Sequence, residues 1–141
     1  MKNVDIAKEL LKDAKTCILV KENVIYTSEK KGIAPVLGYL KEGTDLTGFS
    51  VADRIVGKAA AMLFVKAGIT EAYAEVLSKD GAAFLEKYNI PYSYGTLVEK
   101  IINRQGTDIC PMEKAVQNID DIDEGITALK AKVLELQQNA Q

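Results

Sequence analysis

The sequence contains no histidine, only two cysteines and three prolines, and no long apolar run, and each shortage removes a class of function. Without imidazole, the commonest protein ligand for catalytic zinc and the commonest general base near neutral pH are both missing. Ser-His-Asp and Cys-His catalysis, His-bound zinc and phosphohistidine chemistry therefore cannot be built within this chain. Cys17 and Cys110 stand far apart, with none of the spacings of a disulfide framework or a zinc finger, so each is read by itself. The longest apolar run, Ala59 to Val65, is too short to span a bilayer. Charges at Lys2, Asp5 and Lys8 occupy the stretch where a secretory signal needs apolar residues. The reading is a soluble, cytoplasmic protein with no membrane partner.

Charge of one sign is also lacking. Eighteen basic against twenty acidic side chains leave a net charge of −2, so no broad positive field draws in a phosphate backbone, and no nucleic acid partner is expected. What remains is 141 residues, 48% hydrophobic and 27% charged, the size and balance of one compact domain spanning 1–141.

Periodicity places the elements. Val4, Ala7, Leu10, Leu11 and Ala14 fall at helical spacing among charges and predict an amphipathic first helix. Two β-rich runs, Thr16 to Val20 and Val24 to Thr27, separated by Lys21-Glu22-Asn23, predict an antiparallel hairpin. Ile33 to Leu40 suits a short helix whose first turn tolerates Pro35. From Ser50 the pattern predicts a central helix carrying Ile55, Ala59, Met62 and Leu63 and stopping at Gly68. A strand over Thr70 to Leu77, a helix over Lys79 to Tyr88 and a strand over Tyr92 to Val98 follow. A short helix opens at Cys110-Pro111, and residues 119–141 form a long amphipathic C-terminal helix whose start is crowded with acids, as the helix dipole favours. Strands separated by helices imply parallel neighbours, so the expected class is α/β with a mixed sheet, an antiparallel hairpin first and parallel strands after it.

Three constellations could carry chemistry. In Asp53-Arg54-Ile55-Val56-Gly57-Lys58-Ala59-Ala60-Ala61, read as helix, Arg54, Gly57, Lys58 and Ala61 share one face, so two cations flank a bare patch. Free N–H groups of the first turn, with Arg54 and Lys58, suit an anion, and Asp53 could accept hydrogen bonds from ligand hydroxyl or amino groups. Equally, Ser50 to Asp53 is a capping box, Gly57 permits tight packing and the cations are solvated. In Thr107-Asp108-Ile109-Cys110-Pro111-Met112-Glu113, Pro111 at the first helical position makes Cys110 the N-cap, a setting that favours a thiolate. Cys110 is thus the best nucleophile candidate, or else a small apolar plug, while Glu113 reaches back to the N-cap backbone N–H. Cys17, inside a β-rich run, reads as core. In Tyr92-Ser93-Tyr94-Gly95-Thr96 the two tyrosines share a face, and Gly95 leaves room for a ligand or marks a bulge.

Taken in order, these elements resemble the three-layer α-β-α cytidine deaminase-like fold. The segments from Asp53 to Ala61 and from Asp108 to Ala115 resemble a small family of uncharacterised prokaryotic proteins within it. The zinc enzymes of that superfamily present His or Cys with a catalytic Glu at one helix start and a Pro-Cys-x-x-Cys pair at another. Here Val56-Gly57-Lys58 offers neither ligand nor Glu, Ser78-Lys79-Asp80-Gly81 stands where the cysteine pair belongs, and Cys110-Pro111 reverses the order. The resemblance therefore implies the fold without a catalytic zinc, and no metal or other cofactor is expected. The leading expectation is a cleft that binds a small anionic, nucleotide-like metabolite through Asp53, Arg54, Gly57 and Lys58. One rival is a zinc-independent enzyme with Cys110 as nucleophile or sulfur carrier and Lys58 or Glu113 moving protons. Another is an interaction or homo-oligomerisation module built on the C-terminal helix.

Overall fold

The computed structural model describes residues 1–139. The hairpin forms as its β-rich runs dictate: β1 (Cys17–Lys21) and β2 (Val24–Ser28) pair antiparallel, and Glu22 in the turn adopts a left-handed φ of 55°. Before them lies α1 (Asn3–Leu10), and after them α2 (Ala34–Lys41) with Pro35 in its first turn. Then come β3 (Ser50–Val56), α3 (Lys58–Ala67), β4 (Glu71–Ser78), α4 (Lys79–Lys87) and β5 (Tyr92–Val98). The chain continues into α5 (Pro111–Val116) and α6 (Ile122–Asn139). The last two residues of the expected C-terminal helix, 140 and 141, lie outside the described residues.

The five strands make one mixed sheet in the order β2-β1-β3-β4-β5. β1 lies antiparallel to β3, whereas β3, β4 and β5 run parallel. The main core fills one face, where Leu19, Val51, Ala72 and Leu77 meet Leu37, Leu63, Phe64, Leu85 and Leu129 from the helices. The other face carries α1, whose Ala7 and the following Leu11 cover Ile18, Val20 and Ala52. Seven of the ten residues of α3 are buried, because it lies between the sheet and α6; Gly125 of α6 leaves the space that Met62 occupies. Among the described residues no helix is long and apolar enough to cross a membrane.

One expectation is corrected. Ser50–Val56 is strand, not the first turns of the central helix, which begins only at Lys58 and ends, as expected, with Gly68 in the left-handed conformation. Apolar residues at 52, 55, 56, 59, 62 and 63 imitate helical spacing across a strand–helix junction. A central strand covered on both faces lacks the alternation that would have betrayed it. The pleat is also irregular, since Val51 and Val56 both face the main core although an odd number of positions separates them, as do Ala74 and Leu77 in β4. The slip falls around Arg54 and Glu75, and beside it Gly95 is obligatory, because a Cβ there would lie 2.8 Å from the Glu75 carbonyl oxygen.

Strand geometry gives Arg54 a different job from the one its helical reading implied. Its Nε donates to the Lys15 carbonyl at 2.9 Å, its Nη2 to the Asp13 carbonyl at 3.0 Å and its Nη1 to Glu75 at 2.7 Å. The guanidinium thereby fixes the α1–β1 connection, in which Asp13 holds a φ of 55°. Three directed bonds from one planar fork are something lysine cannot reproduce. Arg54→Ala is expected to lower stability by about 1–3 kcal/mol, and Arg54→Lys to recover little of it, measured by urea unfolding.

Candidate functional site

The parallel strands β3 and β4 end side by side, and each feeds straight into a helix. Gly57 is the N-cap of α3, while Ser78 caps α4 through its Oγ, which accepts from the Gly81 N–H at 3.0 Å. The two helix starts press together, since a Cβ on Gly81 would lie 3.0 Å from the Gly57 carbonyl carbon. Ser78 thus does structural work at the start of α4.

The free N–H groups of α3 do face an anion, and the chain supplies it. One Glu113 carboxylate oxygen accepts from the Lys58 N–H and the other from the Ala59 N–H, both at 2.8 Å. Gly57 is required for this approach, because its Cβ would fall 2.2 Å from Glu113 Oε1. Glu113 was expected to cap its own helix; instead it bridges from α5 to α3. Burial pushes its carboxyl above the ordinary range, and Asp80 adds to that. The Ala59 and Lys58 N–H groups and the Lys58 charge pull the other way without prevailing. Between the two helix starts a space of only about 20 Å³ remains, near the least that admits a water.

Lys58 is drawn away from this point. Its Nζ donates to the Asp120 carboxylate at 3.1 Å and the Gln117 carbonyl at 3.4 Å, so the expected pairing of Arg54 and Lys58 over a bare glycine does not form. With Arg54 on a strand and its guanidinium committed to the α1–β1 connection, the two cations belong to different elements.

Beside Gly57 opens a much larger cleft, about 1020 Å³ in volume. It lies outside the carboxyl end of β3, a position where α/β proteins commonly bind ligands. Its walls come from the β2–α2 connection and α2, the starts of α3 and α5, the β5–α5 connection and the last turns of α6. Of the expected site residues Asp53, Arg54, Gly57, Cys110 and Glu113 line it.

Asp53 is the unusual member. It is 6% exposed, on the main-core side beside Cys17, its partner in the β1–β3 register. Burial raises its carboxyl to about 7, against a partial offset from the Ile55 and Arg54 backbone N–H groups. Cys17 is 1% exposed, and burial, then the Asp53 charge, raises its thiol well above the ordinary range. Cys110 is half-buried on the cleft wall. It is the N-cap of α5 with Pro111 after it, as expected, but no side-chain cap bond forms; its backbone N–H donates to the Ile101 carbonyl at 2.9 Å.

The sequence reading missed the cations around the mouth. Lys30, Lys31, Lys41 and Arg104 line the cleft, are exposed, and make no ion pair among the described residues. Among the described residues Asp53 and Glu113 are the only acidic ones in the lining, and Glu113 is committed to α3. Lys30-Lys31-Gly32 was the visible signal, but its relation to Arg104 exists only once the chain is folded. Among the described residues no three acidic, thiol or imidazole groups gather as a metal site would require.

The Glu113–Gly57 contact predicts a coupled pair. Glu113→Ala is expected to cost about 1–3 kcal/mol by uncapping α3, and Gly57→Ala about 2 kcal/mol or more by expelling the carboxylate. In a double-mutant cycle by chemical denaturation the two should be non-additive by about 1 kcal/mol or more, Gly57→Ala costing less once Glu113 is gone.

Comparison with known proteins adds two findings. The family described as "Domain of unknown function (DUF1893)" matches residues 5–133. The crystal structure of a DUF1893 family protein (TM1506) from Thermotoga maritima is similar, with a TM-score of 0.83 at 29% identity, covering 94% of this chain and 91% of that one. No curated protein matches.

Proposed function

The chain belongs to the DUF1893 family, and for this member we propose that it binds a small anionic metabolite, nucleotides being one class of candidate, in the cleft beside Gly57. The observation that carries the reading is the charge arrangement. Four cations that pair with no acid among the described residues line the cleft, and one buried carboxyl, Asp53, lies within. Unpaired cations around a concavity concentrate anions there, and Asp53 offers a hydrogen bond to a hydroxyl or amino group of the ligand. We further propose that the cleft is that of a cytidine deaminase-like fold. The adjacent helix starts of α3 and α4, at the ends of two parallel strands, support this.

Relative to the sequence expectation, the site moves. The α3 start is already satisfied by Glu113, so the ligand's anionic group sits at the rim, with Lys30, Lys31, Lys41 and Arg104, and Lys58 takes no part. Pyrophosphate serves as the test anion, followed by calorimetry and by amide shifts of residues 30–33 and 101–105. The double substitution Lys31→Glu, Arg104→Glu is expected to weaken binding by about tenfold or more, a loss of roughly 1.4 kcal/mol. Lys66→Glu, whose wild-type ammonium pairs with Asp123 at 2.8 Å, should leave it unchanged. Equal loss with both variants, or no binding at all, sinks the reading.

A second reading has its own observation: Cys110 lies half-buried on the same wall while Cys17 is enclosed. In it Cys110 is a nucleophile or sulfur carrier, and Asp53 rather than Lys58 moves the proton, since an acid near neutrality inside a cleft suits that task. Iodoacetamide is expected to modify Cys110 in the native protein about tenfold faster than Cys17 or more. Equally slow modification of the two thiols by mass spectrometry counts against it.

A further inference from the structure

We infer that the ligand of the cleft is an amphipathic anion with an aliphatic body, of the acyl carboxylate or alkyl phosphate kind, and not a nucleotide. The inference rests on the anion-binding reading above and specifies its ligand class. Its first support is the character of the wall: Ile33, Leu37, Ile102, Met112, Val133 and Leu136 line the cleft, and among the described residues no Phe, Tyr or Trp does. Nucleobases are commonly held by stacking on aromatic faces; here they would meet branched and straight-chain aliphatic groups only. Tyr26 and Tyr39, which stack at 5.4 Å, belong to the packing around the main core and not to this wall.

The second support is exposed carbon. Ile102 is 51% exposed, Ile55 52% and Leu136 38%, and all three line the cleft. They come from three distant stretches of sequence, so their convergence is a property of the fold. A ligand that covers them removes apolar surface from water, which is favourable in proportion to area.

The third is the division of charge. The unpaired cations lie at the β2–α2 connection, on α2 and at Arg104, while the wall offers carbon. An anionic head at the rim with a chain laid along the wall satisfies both. At about 1020 Å³ the cleft stands at the upper end of the usual small-molecule range, so a medium-length chain fits with its head outside. Asp53 faces the body of such a ligand. It accommodates an apolar chain in its protonated form and a hydroxyl on the chain in either form.

The test compares butyl, hexyl and octyl phosphate, below their micellar concentrations, with pyrophosphate, AMP and CMP by calorimetry on the full chain. Affinity is expected to rise roughly fourfold per added methylene that the cleft buries, at one ligand per chain, with octyl phosphate tighter than either nucleotide. Octanoate should bind in the same way, more weakly. Ile102→Asp and Leu136→Asp change exposed positions that the core does not need; each is expected to flatten the chain-length dependence, while the added charge weakens pyrophosphate and every member of the series by about the same factor. A flat series in the wild-type chain overturns the inference, as does a nucleotide that binds tighter than octyl phosphate. Each of those results leaves anion binding standing. Failure of pyrophosphate and octyl phosphate alike overturns both. Should one aspartate variant unfold, as judged by circular dichroism, the other decides.

Discussion

The contact on which most of this structure depends is one carboxylate, Glu113, seated on two backbone N–H groups at the start of α3. It answers a general problem, since the first turn of any helix leaves donors without partners, and a buried start without an acceptor is costly. Here the acceptor is borrowed from an element far along the chain. That choice forces Gly57, because no side chain fits between the carboxylate and the backbone. It also anchors the short helix α5, which hardly has the length to hold itself. With α5 fixed, the β5–α5 connection, one outer wall of the cleft, is placed, and so is the base of α6, whose last turns supply another.

The same contact explains why the most attractive local pattern in the sequence pointed to the wrong spot. An arginine, a glycine and a lysine at a helix start look like an anion site, and the physics behind that expectation is sound: the donors are there and an anion does sit on them. What a linear reading could not supply was the identity of the anion. Glu113 was legible as a helix-start residue but not as the partner of another helix. Lys58 was legible as a cation, but its pairing with Asp120 depends on how α5 and α6 return to α3.

Elsewhere the legibility followed local chemistry closely. The hairpin, α4, β5, the Gly68 stop and the Cys110-Pro111 start were all recoverable, because each is set by strand-forming runs or by cap and turn residues acting over a few positions. β3 was not, since its residues are covered on both faces and its pleat slips near Arg54, leaving no alternation to read. Asp53 was singled out as a member of a helix start; it lies on β3 instead, and strand geometry brings it to the cleft. The rim cations escaped because Lys30, Lys41 and Arg104 reach one cleft only in the folded chain, although β2 and β5 are opposite edges of the sheet. A five-stranded sheet with helices on both faces was foreseeable in class; which ends of which elements converge was not.

The walls of the cleft are drawn from Thr16 and four longer stretches, near residues 30–41, 53–60, 101–113 and 133–137. None of them forms a recess by itself, and the last belongs to α6, which emerges from the ribosome after β1 to β5 and α1 to α5. The recess is thus assembled after the core: a nascent chain can have its sheet and its central helix in place and still lack this cavity. A compound bound there would meet only chains in which α6 has already docked, and would act as a seal on that docking rather than as a template for the early core.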